Sequence, residues 1–313
     1  MVVVSQSGSS HRGPAVMPAA VQPCSIVTDS AAMLPQASDG LQVTVPLTIT
    51  IGSSSYLDGI DINADEFYRR LIAGEVPKTS TPSPGDYLNA YRKATGQQIL
   101  CLTIPPELSG MHEAATIAAQ MFDEEQTERH VTVLDTRTAA AGHGLLARFA
   151  VEMAGQRMPA DAILARLSQA MEDVRMYGSL VTLEYLARSG RVTTLVANVG
   201  DLLGVRPVFE MRQGQGHRVG LARGDRRATR IFVREALEQF DGRPLRLLVF
   251  HCAAPARAAE LMGELKAACE VVTSEVVALT PVMGAYTGPG TIGFAALPAY
   301  GSAPGSAGSP QPS

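Results

Sequence analysis

Tryptophan is absent from this chain, and aromatic residues together make only 5% of it. Ring platforms on which nucleic-acid bases stack are therefore not expected. Only 18% of the residues are charged, the net charge is −4, and no basic run occurs, so no nucleic acid is expected as a partner. No apolar stretch approaches the roughly 20 residues of a membrane-spanning helix, so no integral membrane segment is expected. The four cysteines, at 24, 101, 252 and 269, show neither CxxC nor metal-site spacing. Two of them sit in apolar strand-like runs, which points to reduced, buried thiols in a cytoplasmic protein. The six histidines have no metal-ligand spacing either, so no metal is expected.

Several catalytic signatures are also missing. There is no GxxxxGK[ST] for a nucleotide phosphate, and no GxGxxG after a strand for a dinucleotide. No GxSxG elbow offers an activated serine. No cofactor and no catalytic residue is expected on these grounds. The 46% hydrophobic content over 313 residues is enough for two ordinary domains with a large core.

The chain is organised around residues 99–122. Residues 99–104, Ile-Leu-Cys-Leu-Thr-Ile, form an apolar run that reads as a strand buried on both faces. Pro105 to Gly110 reads as a turn and 111–122 as a helix rich in Ala, Met, Gln and Glu. Strand, turn and helix together aim backbone N–H groups at a point beyond the strand's end, where the Ser109 hydroxyl could help hold an anion. Alternatively, Ser109 only caps the helix.

Residues 1–23 read as a Ser/Gly/Pro-rich disordered lead-in without a signal peptide. A short strand at 25–27 runs into Thr28-Asp29-Ser30, which is either one wall of a site or a helix cap. Residues 41–51 read as one strand. Asn63 is placed to cap a helix at 64–73. Residues 77–84 hold four hydroxyls among prolines and read as a stiff loop, either a surface linker or a set of fixed donors. Helices follow at 85–95, 139–154 and 160–174, with a strand at 130–134. Alternation of strand and helix implies a parallel sheet covered on both faces. After Tyr177 the pattern changes to extended pieces at 179–183, 203–210 and 218–221, which reads as a more antiparallel sheet. Helices at 228–240 and 256–268, strands at 245–250 and 270–273, and a glycine-dense loop at 281–293 complete the folded part. The fold class is thus α/β with two domains: a parallel-sheet α/β domain at 24–176 and a mixed or antiparallel α+β domain at 177–299. A disordered tail is expected at 300–313.

Several short motifs then stand in one order. They are Thr28-Asp29-Ser30, Pro46-Leu47, Tyr56-Leu57-Asp58-Gly59, Thr79-Ser80-Thr81-Pro82-Ser83, Leu108-Ser109-Gly110, Ser189-Gly190-Arg191-Val192 and Thr287-Gly288-Pro289-Gly290. In this order and spacing the chain resembles the DegV family over about residues 24–297. The resemblance implies a protein that binds one long-chain fatty acid in an apolar tunnel between two domains. It further implies a carrier subunit, serving phospholipid metabolism, that presents the acid to a separate ATP-dependent fatty acid kinase for acyl-phosphate formation. The family's carboxylate-binding hydroxyls fall on Thr79 and Ser109, with Ser80 and Gly110 beside them, and its arginine falls on Arg191. A second arginine, on the phosphoryl-transfer or partner side, falls on Arg223, with Arg226 or Arg227 as alternatives. Tyr286 stands where the family has histidine; its hydroxyl can donate a hydrogen bond but adds no positive charge. Met111 and Thr81 also depart from the family pattern. Two other readings stay open: a stand-alone phosphoryl- or acyl-transfer enzyme using Thr28, Asp29 and Ser109, and a lipid-sensing module without a kinase partner.

Overall fold

The computed structural model describes residues 24–125, 127–190 and 205–300. The expectations for residues 1–23, for Arg191 and for 301–313 lie outside the described residues. The first half runs β1 (Cys24–Asp29), β2 (Gln42–Val45), β3 (Thr48–Ile51), β4 (Ser54–Leu57), α1 (Ala64–Ile72), β5 (Pro77–Ser80), α2 (Pro84–Lys93), β6 (Gln98–Thr103), α3 (Met111–Glu125), β7 (His130–Asp135), α4 (Ala140–Gly155) and α5 (Ala160–Asp173). The second half runs β8 (Arg175–Ser179), α6 (Glu184–Ser189), β9 (Arg206–Arg212), β10 (Gln215–Ala222), α7 (Asp225–Phe240), β11 (Leu245–His251), α8 (Pro255–Ala268), β12 (Val271–Ala278), α9 (Pro281–Thr287) and β13 (Ile292–Pro298).

Three sheets result. The first has the order β2-β1-β6-β7 and is parallel throughout. The second has the order β10-β9-β8-β13-β11-β12, antiparallel except for the β11–β12 pair. The third is a small antiparallel sheet, β4-β3-β5. The α/β reading holds, with a parallel sheet in the first half and a mixed sheet in the second.

The local signals behave as their chemistry requires. Asn63 accepts the Glu66 N–H at 2.9 Å, with Asp65 and Glu66 in the first turn of α1 and Arg69 and Arg70 in the last. Ser83 and Asp86 form a reciprocal capping box around Pro84 at the start of α2. Five local expectations are corrected. Residues 41–51 are two strands, because Pro46 has no N–H to give a ladder; β2 joins the first sheet and β3 the third. The hydroxyl-rich stretch is not a plain loop, since β5 pairs with β3 through residues 77–80. The extended piece expected at 179–183 is not a strand; the strand lies earlier, as β8 (Arg175–Ser179), which crosses the expected junction at 176/177 and belongs to the second sheet. The glycine-dense stretch at 281–293 begins with a helix, α9. Tyr300, expected at the head of the tail, is pinned instead: its hydroxyl donates to Asp173 Oδ2 at 2.9 Å.

Helix α4 holds the halves together. It packs on β1 on one side and on β8, β11 and β13 on the other. Gly142 and Gly144 lie about 200° apart around the helix, so they face opposite neighbours. A Cβ at Gly144 would stand 2.4 Å from the Ala32 carbonyl oxygen, and one at Gly142 would stand 3.2 Å from Met176 Cβ. The Gly144 face lies closer to its neighbour than a side chain would permit, and the Gly142 face fits tightly against Met176.

All the cysteines are free. Burial pushes the Cys101 and Cys252 thiols up to about 12, which keeps them protonated and unreactive. Among the described residues no helix is long and apolar enough to cross a membrane, and no His/Cys/Asp/Glu cluster could hold a metal.

Candidate functional site

A cavity of about 880 Å³, its open mouth included, lies between the parallel sheet and the mixed sheet. One wall comes from the first half: Leu47, Ile104, Leu108, Met111, Ala139 and Ala140. The other comes from the second half: Met176, Phe209, Met211, Phe250, Val282 and Met283. Among the described residues, every polar side chain in the lining is a hydroxyl: Thr79, Thr81, Ser109, Tyr286, Thr287 and Thr291. Among the described residues, no charged side chain lines the cavity.

Thr79, Ser109 and Tyr286 come from segments far apart in sequence and meet here. Thr79 and Tyr286 share a hydroxyl–hydroxyl hydrogen bond, and Thr81 Oγ1 lies 3.2 Å from Ser109 Oγ. A hydroxyl has one hydrogen to give, so the Thr81–Ser109 bond uses one of its two hydrogens and leaves the other for a ligand. Strand alternation decides which hydroxyls of β5 face inward: Thr79 is half-buried and Ser80 is exposed. Ser80 is therefore not in the lining. Gly110 is exposed, and its carbonyl accepts the Ala114 N–H at 3.0 Å, which opens α3. Arg223 is exposed just past β10 and is not in the lining.

On the far side of the Thr79–Tyr286 pair lies a second, more open cleft. It shares Thr79 and Tyr286 with the cavity and carries two cations, Lys78 and Arg188. Arg188 is paired with Glu184 one turn earlier. The hydroxyl pair thus stands between the apolar cavity and a cleft in which two charged side chains sit among apolar ones.

The first half of the chain positions α9, and so Tyr286. Asp58 Oδ2 accepts from the Ser30 hydroxyl at 2.6 Å, and Asp58 Oδ1 accepts the Val282 N–H at 3.1 Å. This buried carboxyl caps α9, and burial holds its pKa above the ordinary value against the lowering effect of those bonds. Tyr68 of α1 donates to the Leu279 carbonyl at 2.6 Å. Its ring lies where a Cβ on Gly284 would stand, 2.3 Å away. Asp58→Ala is expected to destabilise the protein by about 2 kcal/mol, because it strands the buried Val282 N–H and the Ser30 hydroxyl. Urea unfolding at neutral pH measures it; a loss below about 0.5 kcal/mol would show that water replaces the carboxylate.

Thr28 and Asp29 are buried and do not line the cavity; Ala31 does. Asp29 caps the short 3-10 turn Ser30–Ala32 by accepting the Ala31 N–H at 2.8 Å. Of the two readings for this motif, the cap is the arrangement present. Sequence reasoning missed Met176, Phe209, Met211 and Phe250, because strand pairing alone brings them to one face.

The family model described as "Uncharacterised protein, DegV family" matches residues 23–299. The chain belongs to the DegV family. A "Fatty acid-binding protein" of Thermotoga maritima is 31% identical over 235 residues, covering 73% of this chain and 80% of that one. A DegV domain-containing protein of Streptomyces coelicolor is 31% identical over 277 residues, covering 86% and 96%. A Thermus thermophilus structure titled "Fatty Acid Binding of a DegV family Protein" superposes with a TM-score of 0.81 at 32% identity, covering 88% of this chain and all of that one. A stearic acid-binding protein of Eubacterium ventriosum gives a TM-score of 0.79 at 25% identity, covering 87% and 97%.

Proposed function

We propose that this DegV protein binds one long-chain fatty acid, with its acyl tail in the apolar cavity and its carboxylate among the hydroxyls of Thr79, Ser109 and Tyr286. One observation carries the reading: an apolar cavity whose polar lining, among the described residues, consists of hydroxyls. Such a lining suits a ligand with a long apolar body and one small polar head. Each methylene buried contributes about 0.8 kcal/mol. A desolvated carboxylate costs several kcal/mol unless donors surround it, and neutral hydroxyls can supply those donors. Arg191 is assigned the charged donor by family resemblance only. The fatty-acid-binding relatives support the same ligand class.

In this reading the protein is a carrier with no catalytic residue and no cofactor. It presents the carboxylate to a separate ATP-dependent kinase. The opening beyond Thr79 and Tyr286 supports access from that side, and Arg223 is assigned to the partner side.

Native mass spectrometry of protein purified from bacteria, followed by organic extraction, tests the ligand. The expected result is a discrete added mass equal to one long-chain fatty acid. Protein that is empty and also refuses added fatty acid would overturn the proposal. Incubation with ATP alone is expected to give no turnover.

A further inference from the structure

The pocket-facing side of the mixed sheet carries a row that crosses four strands. Phe209 of β9 pairs with Gly178 of β8, Gly178 with Gly293 of β13, and Gly293 with Phe250 of β11. Two phenylalanines thus flank two adjacent glycines, and both rings line the cavity. The rings do not stand upright. A Cβ built on Gly178 would meet the Phe209 ring at 2.6 Å, and one on Gly293 would meet the Phe250 ring at 2.3 Å. The tip of each ring therefore leans over a glycine, into space that any side chain would fill. The next row on the same face is Met211, Met176, Ala295 and Leu248.

We infer that the Phe209–Gly178–Gly293–Phe250 row sets the cross-section of the cavity and thereby selects among acyl chains. The inference rests on the fatty-acid reading above. Laid over the glycines, the rings leave open the space above the sheet. Lifted off them, they would move into the cavity, because the sheet itself blocks the other direction. A straight saturated chain is narrow. A chain with a cis double bond or a methyl branch needs a wider passage at the kink. The glycines are what keep the passage wide enough for bent chains.

Gly178 gives the cleaner test of the two. The three atoms nearest its Cβ position all belong to the Phe209 ring, whereas a Cβ at Gly293 would also meet the Tyr177 carbonyl oxygen at 2.1 Å. Gly178→Ala is expected to push the Phe209 ring inward. The ratio of affinities for oleate over stearate should fall on the order of tenfold, the effect of a methylene-sized misfit in an apolar pocket. Phe209→Leu is expected to move the same ratio upward, and it adds no clash should the alanine variant fail to fold. Competition of both acids against a fluorescent fatty acid, on the intact full-length protein, reads the ratio.

The outcomes separate the two claims. Wild-type protein that takes up neither acid overturns the fatty-acid reading, and this inference with it. Wild-type protein that binds both, with ratios unchanged in folded Gly178→Ala and in Phe209→Leu, overturns the row as the selector and leaves the ligand class standing. Opposite shifts in the two variants support it.

Discussion

Relative to the wild-type chain, Asp29→Asn is expected to gain about 4 kcal/mol of stability on going from pH 4 to pH 8; this is the expected result of removing a buried carboxyl whose pKa is pushed from its ordinary value up to about 7. Desolvation at a fully buried site is the main cause, helped by the neighbouring Asp58 carboxyl. The Ala31 N–H bond works against it but is too weak to win. The second oxygen, Oδ2, has no hydrogen-bond partner among the described residues. Asparagine keeps the shape and the cap. A carboxyl with a raised folded pKa holds its proton longer in the folded state than in the unfolded one. Its contribution is therefore full below about pH 4 and is lost as pH rises through about 7. His143, whose Nε2 lies 3.7 Å from Asp29 Oδ2, works in the opposite direction. Burial lowers its pKa to about 3, and Thr28 and Thr136 hydroxyls meet its ring nitrogens at 2.9 and 3.0 Å. The folded state then resists protonating it, so its contribution is present above about pH 6.5 and is lost as pH falls towards 3. In the wild-type chain the two slopes oppose each other between about pH 4 and 6.5. In Asp29→Asn the His143 slope stands alone, and stability should fall steadily as the solution is acidified. Urea unfolding of both proteins at pH 4.5, 6 and 8 measures the difference; a stability difference that stays constant across the three would refute the assignment.

Thr79→Val combined with Tyr286→Phe is expected to weaken fatty-acid binding on the order of 100-fold or more, since each hydrogen bond to a charged group contributes about 1.5–3 kcal/mol. The two hydroxyls bond each other, so the single variants should not add up to the double one. Exchange of a labelled fatty acid measures the loss. The primary alcohol of the same chain length is the control, because it has the same tail and no carboxylate. Equal losses for acid and alcohol would mean that the substitutions act on the shape of the cavity and that the head group is held elsewhere.

The sequence made the parts of this site visible more readily than their assembly. The apolar run before Pro105, the Ser109 turn and the α3 helix are local features, and residue type alone identifies them. Thr79, Ser109 and Tyr286 were each legible only through an ordered set of weak motifs, because nothing local says that β5, the β6–α3 turn and α9 converge. Two misreadings have a common origin. Pro46 breaks what side-chain alternation presents as one strand, and Gly284 makes a helix look like a loop. In each case a tertiary partner decides the matter: the third sheet recruits β3, and the Tyr68 ring occupies the space that Gly284 leaves. The floor of the cavity was the least legible part. Phe209, Gly178, Gly293 and Phe250 lie on four strands between positions 178 and 293, and only the strand register makes them neighbours.

The close fit of α4 on both sides has a consequence for anyone recombining these proteins. The helix belongs by sequence to the first half, yet Gly142 meets Met176 of the second sheet and Gly144 meets the turn that follows β1. A chimera joined between α5 and β8 would bring together a helix surface and a sheet surface that were shaped in different lineages. Swapping halves among relatives that are about 30% identical would therefore need both glycine contacts to be carried along, with the recombination point moved to leave α4 and β8 from one parent.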